Sequence, residues 1–136
     1  MAVKISPEIQ EFMKGKQGWV ATASKDAIPN VAIKGSVRVL DDEHLIFADL
    51  FSFKTRKNLE ENPVVAIMVM DVESRRGYSL KGRVELISSG PLYDQTYEGI
   101  KKALGPQAPV PKYVVKVEVQ AIFDQSLGPN AGRQIA

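Results

Sequence analysis

Short runs of β-branched and aromatic residues, separated from one another by a few polar residues, recur along most of this sequence. Alternation of apolar and polar residues marks many of them and is clear over residues 113–120, while Gly82 interrupts an earlier run and predicts a β-bulge. Six such runs predict strands: residues 19–24, 31–40, 44–50, 64–70, 77–87 and 113–120. Connections this short favour antiparallel neighbours, and an open sheet of this size would leave exposed edges. We therefore predict a six-stranded antiparallel sheet closed into a β-barrel.

Three helices are predicted at the periphery of this sheet. The first is short and follows Ser6, a residue typical of a helix N-cap. The second spans residues 53–61, and the Asn-Pro pair that follows ends it. The third spans residues 91–104, begins with proline and takes Ser88 or Ser89 as its cap. The expected fold is mainly β with peripheral helices.

The composition excludes several classes of protein. The chain contains no cysteine and only one histidine, His44, which removes thiolate chemistry, disulfides and histidine-cluster metal sites. No segment has the roughly 20 apolar residues of a membrane span, so we expect a cytoplasmic protein without membrane contact. The net charge is only +2, which argues against nucleic acid as a partner because such proteins carry a basic excess. At 136 residues the chain fits one domain, 1–136, with a loose tail from about residue 125.

The start of the second helix is a candidate anion site. If Ser52 is the N-cap, the N–H groups of Phe53, Lys54 and Thr55 have no acceptor within the helix. The helix dipole adds about half a positive charge at this end. Lys54 contributes an ammonium group and Thr55 a hydroxyl group. These groups together suit a phosphate monoester.

The order of charges along the same helix supports this interpretation. Lys54, Arg56 and Lys57 crowd the first turn, whereas Glu60 and Glu61 occupy the last. The dipole favours the opposite order, so the arrangement costs stability unless an anion binds. The alternative is an exposed amphipathic helix whose charges have no ligand.

The sequence around this helix resembles the FMN-binding split-barrel group, which includes the pyridoxamine 5'-phosphate oxidases. The likeness covers residues 6–124 in the order of elements, and its most specific segments are 36–42 and 53–67. It implies that FMN is the cofactor and that Lys54 and Thr55 hold its phosphate. The cofactor-binding set implied by the resemblance is Ala32, Ile33, Lys34, Asp49, Leu50, Phe51, Ser52, Phe53, Lys54, Thr55 and Asn58.

Two parts of this set have distinct implied roles. Residues 48–51 offer backbone groups to the flavin, and residues 31–35 lie along its ring. Lys34 would then place a cation near the ring and stabilise the anionic reduced flavin. The alternative is that Lys34 faces solvent from an alternating strand.

The resemblance also implies a function. It predicts a flavin-dependent oxidoreductase or electron-transfer protein, with a reduced nicotinamide or a small redox acceptor as partner, and with the cofactor at a homodimer interface. No catalytic side chain is predicted, since the cofactor would supply the chemistry. The pyridoxamine 5'-phosphate oxidases carry a substrate patch with arginine and histidine near the C-terminus. Residues 125–136 contain one arginine and no histidine, which disfavours oxidation of pyridoxamine 5'-phosphate. Two alternatives remain open: the same barrel holding a deazaflavin or haem, and a nucleic-acid-binding barrel that uses Arg56, Lys57, Arg75 and Arg76.

Overall fold

The computed structural model describes residues 1–136. It contains three helices and eight strands. The helices are α1 (Pro7–Met13), α2 (Phe53–Glu61) and α3 (Pro91–Leu104). The strands are β1 (Gly18–Ala23), β2 (Pro29–Lys34), β3 (Arg38–Val39), β4 (His44–Ala48), β5 (Val64–Asp71), β6 (Arg76–Ile87), β7 (Val114–Asp124) and β8 (Arg133–Gln134).

All the strands belong to one antiparallel sheet that curls on itself. Its order is β2-β1-β5-β6-β7-β4-β3, and β8 pairs with β7. The strands at the two ends of this order, β2 and β3, follow each other in the chain and are separated only by residues 35–37. The edges of the sheet therefore come together at this connection without pairing. This confirms the predicted antiparallel split barrel with peripheral helices.

The number of strands differs from the prediction of six. The segment 31–40 was expected to be one strand, but a turn divides it, with the Val37 N–H donating to the Lys34 carbonyl at 3.4 Å. The tail expected to be loose contributes the other additional strand, because Arg133–Gln134 pair with Phe123 and Asp124. Its last residue, Ala136, accepts a hydrogen bond from the Ile122 N–H at 3.1 Å.

Gly82 produces the predicted bulge in β6. The register with β7 shifts between Lys81 and Gly82. A Cβ placed on Gly82 would lie 2.0 Å from the carbonyl oxygen of Glu118, which belongs to the paired strand. Only glycine permits this close approach of two backbones.

The hydrophobic core fills the inside of the barrel, and α1 covers one end. The α1 N-cap is confirmed, since the Ser6 hydroxyl accepts from the Ile9 N–H at 3.3 Å. Ile9 and Met13 of this helix are buried in the core with Phe47 and other apolar residues of the strands. None of the three helices has the length and apolar character that crossing a bilayer would require.

The third helix packs less completely. Thr96 is the only buried residue of α3. Its N-cap is Gly90, with a φ of 105°, rather than Ser88 or Ser89, and no side chain caps it. Glycine fits there because side chains disfavour positive φ.

Candidate functional site

The start of α2 leaves three backbone donors free. Ser52 is at the N-cap position, as predicted, but its side chain does not cap the helix. The first hydrogen bond of the helix is from the Arg56 N–H to the Ser52 carbonyl, at 2.7 Å. The N–H groups of Phe53, Lys54 and Thr55 precede this bond and have no backbone acceptor. Lys54 is exposed and Thr55 is buried beneath the same turn.

Lys34 explains why the Ser52 hydroxyl does not cap α2. The Lys34 ammonium donates to that hydroxyl and also to the Leu50 carbonyl, at 3.1 Å. The hydroxyl in turn donates to the same carbonyl at 3.0 Å. These two bonds hold the Ser52 hydroxyl towards Lys34 and Leu50, and no N–H group of the helix donates to it, so those N–H groups are available to an external anion.

The environment of Lys34 overturns its solvent-facing alternative. The residue is only 7% exposed at the end of β2. Burial lowers the pKa of Lys34, Asp49 opposes this effect, and the positive charge of Arg56 adds to it. An anion beside the ammonium would favour its charged form. The structure thus places a buried cation next to the free donors of α2.

Asp49 neutralises one of the basic residues of the helix. Its carboxylate is 3% exposed and receives two hydrogen bonds from Arg56, at 2.7 and 3.1 Å. The hydrogen bond from Arg56 to Asp49 also raises the pKa of Arg56. Both backbone groups of Asp49 are engaged, because its N–H donates to Tyr113 and its carbonyl accepts from Lys112. The backbone contact expected from Asp49 to a cofactor therefore lacks a free N–H.

The loop before α2 is strained at Phe51, and exposed aromatic rings flank Ser52 on both sides. Phe51 has a φ of +51°, which is uncommon for a bulky residue and is frequent at functional sites. Phe51 and Phe53 are 83% and 87% exposed. Both residues were predicted to lie at the cofactor, and both adjoin the N-cap Ser52 in the chain.

Asn58 lies on the opposite side of the helix from solvent. It is fully buried, and its amide donates to the Thr22 hydroxyl on β1 at 2.9 Å. Its carbonyl oxygen has no hydrogen-bond partner. The contacts of Asn58 attach α2 to the barrel, and none of them is with the α2 start.

A cleft of about 600 Å³ lies next to the α2 start, between α3 and the chain that joins β2 to β3. We call it the α3 cleft. Its lining includes Ile33, Lys34 and Leu50 of the predicted set, but none of the other eight predicted residues. Arg38 of β3 and Thr96 of α3 line its two walls, and their side chains form a hydrogen bond of 3.4 Å across a separation of 58 residues. No local pattern identified these two residues, since their proximity exists only in the folded chain.

These groups fit a phosphate ester with an apolar body. Free N–H groups, a buried ammonium and an exposed lysine surround the α2 start. The adjoining cleft has a volume within the range typical of small-molecule sites. His44 lies elsewhere, in a smaller charged depression, with its Nδ1 2.8 Å from the Asp41 carboxylate.

The chain is similar in sequence and fold to several known proteins. The family model described as pyridoxamine 5'-phosphate oxidase matches residues 5–126. The uncharacterized protein MJ0282 of Methanocaldococcus jannaschii is 37% identical over 136 residues, covering 98% of this chain and 89% of that protein. HupZ of Group A Streptococcus is similar in structure, with a TM-score of 0.81 and 30% identity over 94% of this chain and 99% of that one. A putative pyridoxamine 5'-phosphate oxidase of Lactobacillus delbrueckii gives 0.71 and 25%, covering 88% and 93%.

Three further solved structures share the fold at 20–24% identity, with TM-scores of 0.65–0.68. They are an FMN-binding protein of Syntrophomonas wolfei, an F420 reductase and a haem storage protein of Vibrio cholerae. At this identity the likeness describes the fold alone. One barrel is thus associated with three different cofactors.

Proposed function

The chain belongs to the pyridoxamine 5'-phosphate oxidase family, and we propose that it binds FMN and acts as a flavin-dependent oxidoreductase or electron carrier. The observation that carries this proposal is the open start of α2. Its three free N–H groups lie beside a buried lysine whose hydrogen bonds keep Ser52 from capping them.

Each group at the α2 start has a defined part in holding the phosphate. The N–H groups of Phe53, Lys54 and Thr55 donate to its oxygens, as at other helix N-termini that bind anions. Lys54 adds a charge from solvent. Lys34 adds a second charge from the protein side, since an ammonium has three donors and only two have partners within the chain. Arg56 contributes little, because Asp49 neutralises it.

The ring would occupy the end of the α3 cleft nearest α2, against Ile33 and Leu50. Ile33 and Leu50 would supply apolar contacts to the ring. When bound, the flavin supplies hydride and electron transfer, with reduced nicotinamide as the proposed donor and a small acceptor as the second partner.

Haem suits this chain less well than a flavin. Haem iron needs an axial ligand, and His44 is the only histidine. It is bonded to Asp41 and lies outside the α3 cleft. A deazaflavin shares the shape of the ring and a phosphate-bearing tail, so FMN and a deazaflavin are distinguished by the absorption spectrum of the bound pigment.

A homodimer is part of the proposal. Val31 and Ile33 of β2 are 64% and 65% exposed, and Phe51 and Phe53 beside the α2 start are exposed more strongly still. Pairing of two copies through these side chains would cover apolar surface next to the cofactor. Sedimentation of the FMN-loaded protein should give twice the mass of the chain, and a monomer at micromolar concentration would contradict this part.

The decisive experiment is titration of the purified protein, freed of any pigment, with FMN and with riboflavin. We expect FMN to bind at least tenfold more tightly, because riboflavin lacks the phosphate. Anaerobic addition of a reduced nicotinamide should then bleach the bound flavin. Failure to bind FMN would refute the proposed function, and equal affinity for riboflavin would refute the phosphate site.

A further inference from the structure

The wall of the cleft formed by α3 is apolar and incompletely packed. Ile100 and Leu104 of α3 line it, and Leu104 is still 62% exposed. Gly99 and Ala103 lie on the same face of the helix, and a Cβ placed on Gly99 would meet no atom within 4 Å. A helix of 14 residues that buries only Thr96 leaves room here for a ligand.

The charges that line the cleft are all positive. Lys34 and Arg38 are its only ionisable side chains, and no carboxylate lines it. Lys34 lies at the α2 end, where it donates to Leu50 and Ser52. Arg38 lies on the same wall, beyond residues 35–37, and marks the far end of the cleft; it forms no ion pair and donates only to the Thr96 hydroxyl at 3.4 Å. Most of the donors of the Arg38 guanidinium are therefore free.

We propose that the far end of the α3 cleft binds a second small molecule with an apolar body and one carboxylate, and that Arg38 is the residue that recognises this carboxylate. The placement of this molecule rests on the proposed function, which assigns the α2 end of the cleft to the flavin. The far end is then the site of the reactant that exchanges electrons with the cofactor.

A carboxylate fits this end better than a phosphate does. A phosphate monoester carries close to two negative charges at neutral pH. The α2 start can match these with two lysines, three N–H groups and the helix dipole. The far end offers only the Arg38 guanidinium, whose planar fork matches a single carboxylate in a bidentate arrangement. The two ends of the cleft therefore differ in the charge that they can hold.

Thr96 positions the Arg38 guanidinium. It is 6% exposed and belongs to the helix across the cleft from Arg38. The hydrogen bond between them joins β3 to α3 and holds one donor of the exposed Arg38 guanidinium at the edge of the cleft. Ile100 and Leu104 follow Thr96 by one and two turns of α3, where they can contact the apolar body of a ligand whose carboxylate is held by Arg38.

The test uses 2-naphthoate as an anionic probe and 2-naphthamide as its neutral counterpart, titrated into the protein with and without FMN. Binding is measured by calorimetry and by the amide shifts of Gly99 and Ala103. We expect Arg38→Gln to weaken naphthoate at least tenfold and to leave naphthamide unchanged. Arg83→Gln, an exposed arginine outside the α3 cleft, is the matched control and should change neither.

A second variant tests the location without touching a charge. Gly99→Leu places a side chain in the open space of the cleft and should abolish binding of both probes while the protein remains folded. The proposal is overturned if naphthoate fails to bind, if Arg38→Gln binds it as well as the wild type, or if FMN and naphthoate exclude each other. If FMN does not bind but naphthoate binds and depends on Arg38, the cofactor assignment fails and the carboxylate site stands.

Discussion

Replacement of Lys34 by methionine tests the central feature of the site. The ammonium is buried and donates to the Leu50 carbonyl and the Ser52 hydroxyl, which leaves its third donor for the phosphate. Loss of a hydrogen bond to a charged group costs about 1.5–3 kcal/mol. This corresponds to roughly 10- to 150-fold weaker binding of FMN. The freed Ser52 hydroxyl can also cap α2 and compete with the phosphate for its N–H groups.

The same substitution should change stability little. Methionine has a similar volume and removes a charge whose burial is unfavourable, as the lowered pKa of Lys34 indicates. The Leu50 carbonyl keeps a donor, because the Ser52 hydroxyl also bonds to it at 3.0 Å. We therefore expect the free energy of unfolding to change by no more than about 1 kcal/mol, or a few degrees in Tm.

Parallel titrations with FMN and riboflavin, together with a thermal melt, separate the possible outcomes. Riboflavin affinity should be unchanged in Lys34→Met, and Lys57→Met should behave as the wild type. If the substitution weakens FMN and riboflavin equally, Lys34 acts on the ring rather than on the phosphate. If neither affinity changes, the argument from the α2 start is wrong.

Three further predictions concern Lys54, the charge of Lys34 and two glycines. Lys54→Ala should weaken the binding of FMN about 2- to 10-fold, whereas Lys57→Ala should leave it unchanged. If both variants lose the same affinity for FMN, only a general effect of charge is indicated. The affinity for FMN should fall as the pH rises through the lowered pKa of Lys34, because the phosphate binds the charged form of that lysine. Lys34→Met should remove this dependence, which FMN titrations at a series of alkaline pH values would measure. Gly82→Ala should destabilise the protein by about 3 kcal/mol or more, because the added Cβ would meet a backbone carbonyl. Gly99→Ala, at an open helical position, should stabilise the protein by about 0.5–1 kcal/mol. Denaturant unfolding measures both free energies, and equal stability of the two variants would contradict the bulge argument.

The helix start at Phe53 and the strands that precede and follow it in the chain were accessible from sequence because their causes are local. Ser52, the basic first turn and the Asn-Pro pair act within a few residues of one another. Lys34 shows the limit of such reasoning. Its strand alternates in a way that also fits a solvent-facing lysine, and only contact with Leu50 and Ser52, 16 and 18 residues away, makes it a buried part of the site.

The sequence by itself determined the type of fold, the position of α2 and the glycine that permits the bulge in β6. These follow from alternation, capping and steric limits that each residue imposes on its neighbours. Only the tertiary structure decided that Asp49 neutralises Arg56, that Ser52 is engaged by Lys34, and that Arg38 faces Thr96 across a cleft. The physical reason is that charge, burial and free donors depend on which distant groups meet when the sheet curls closed.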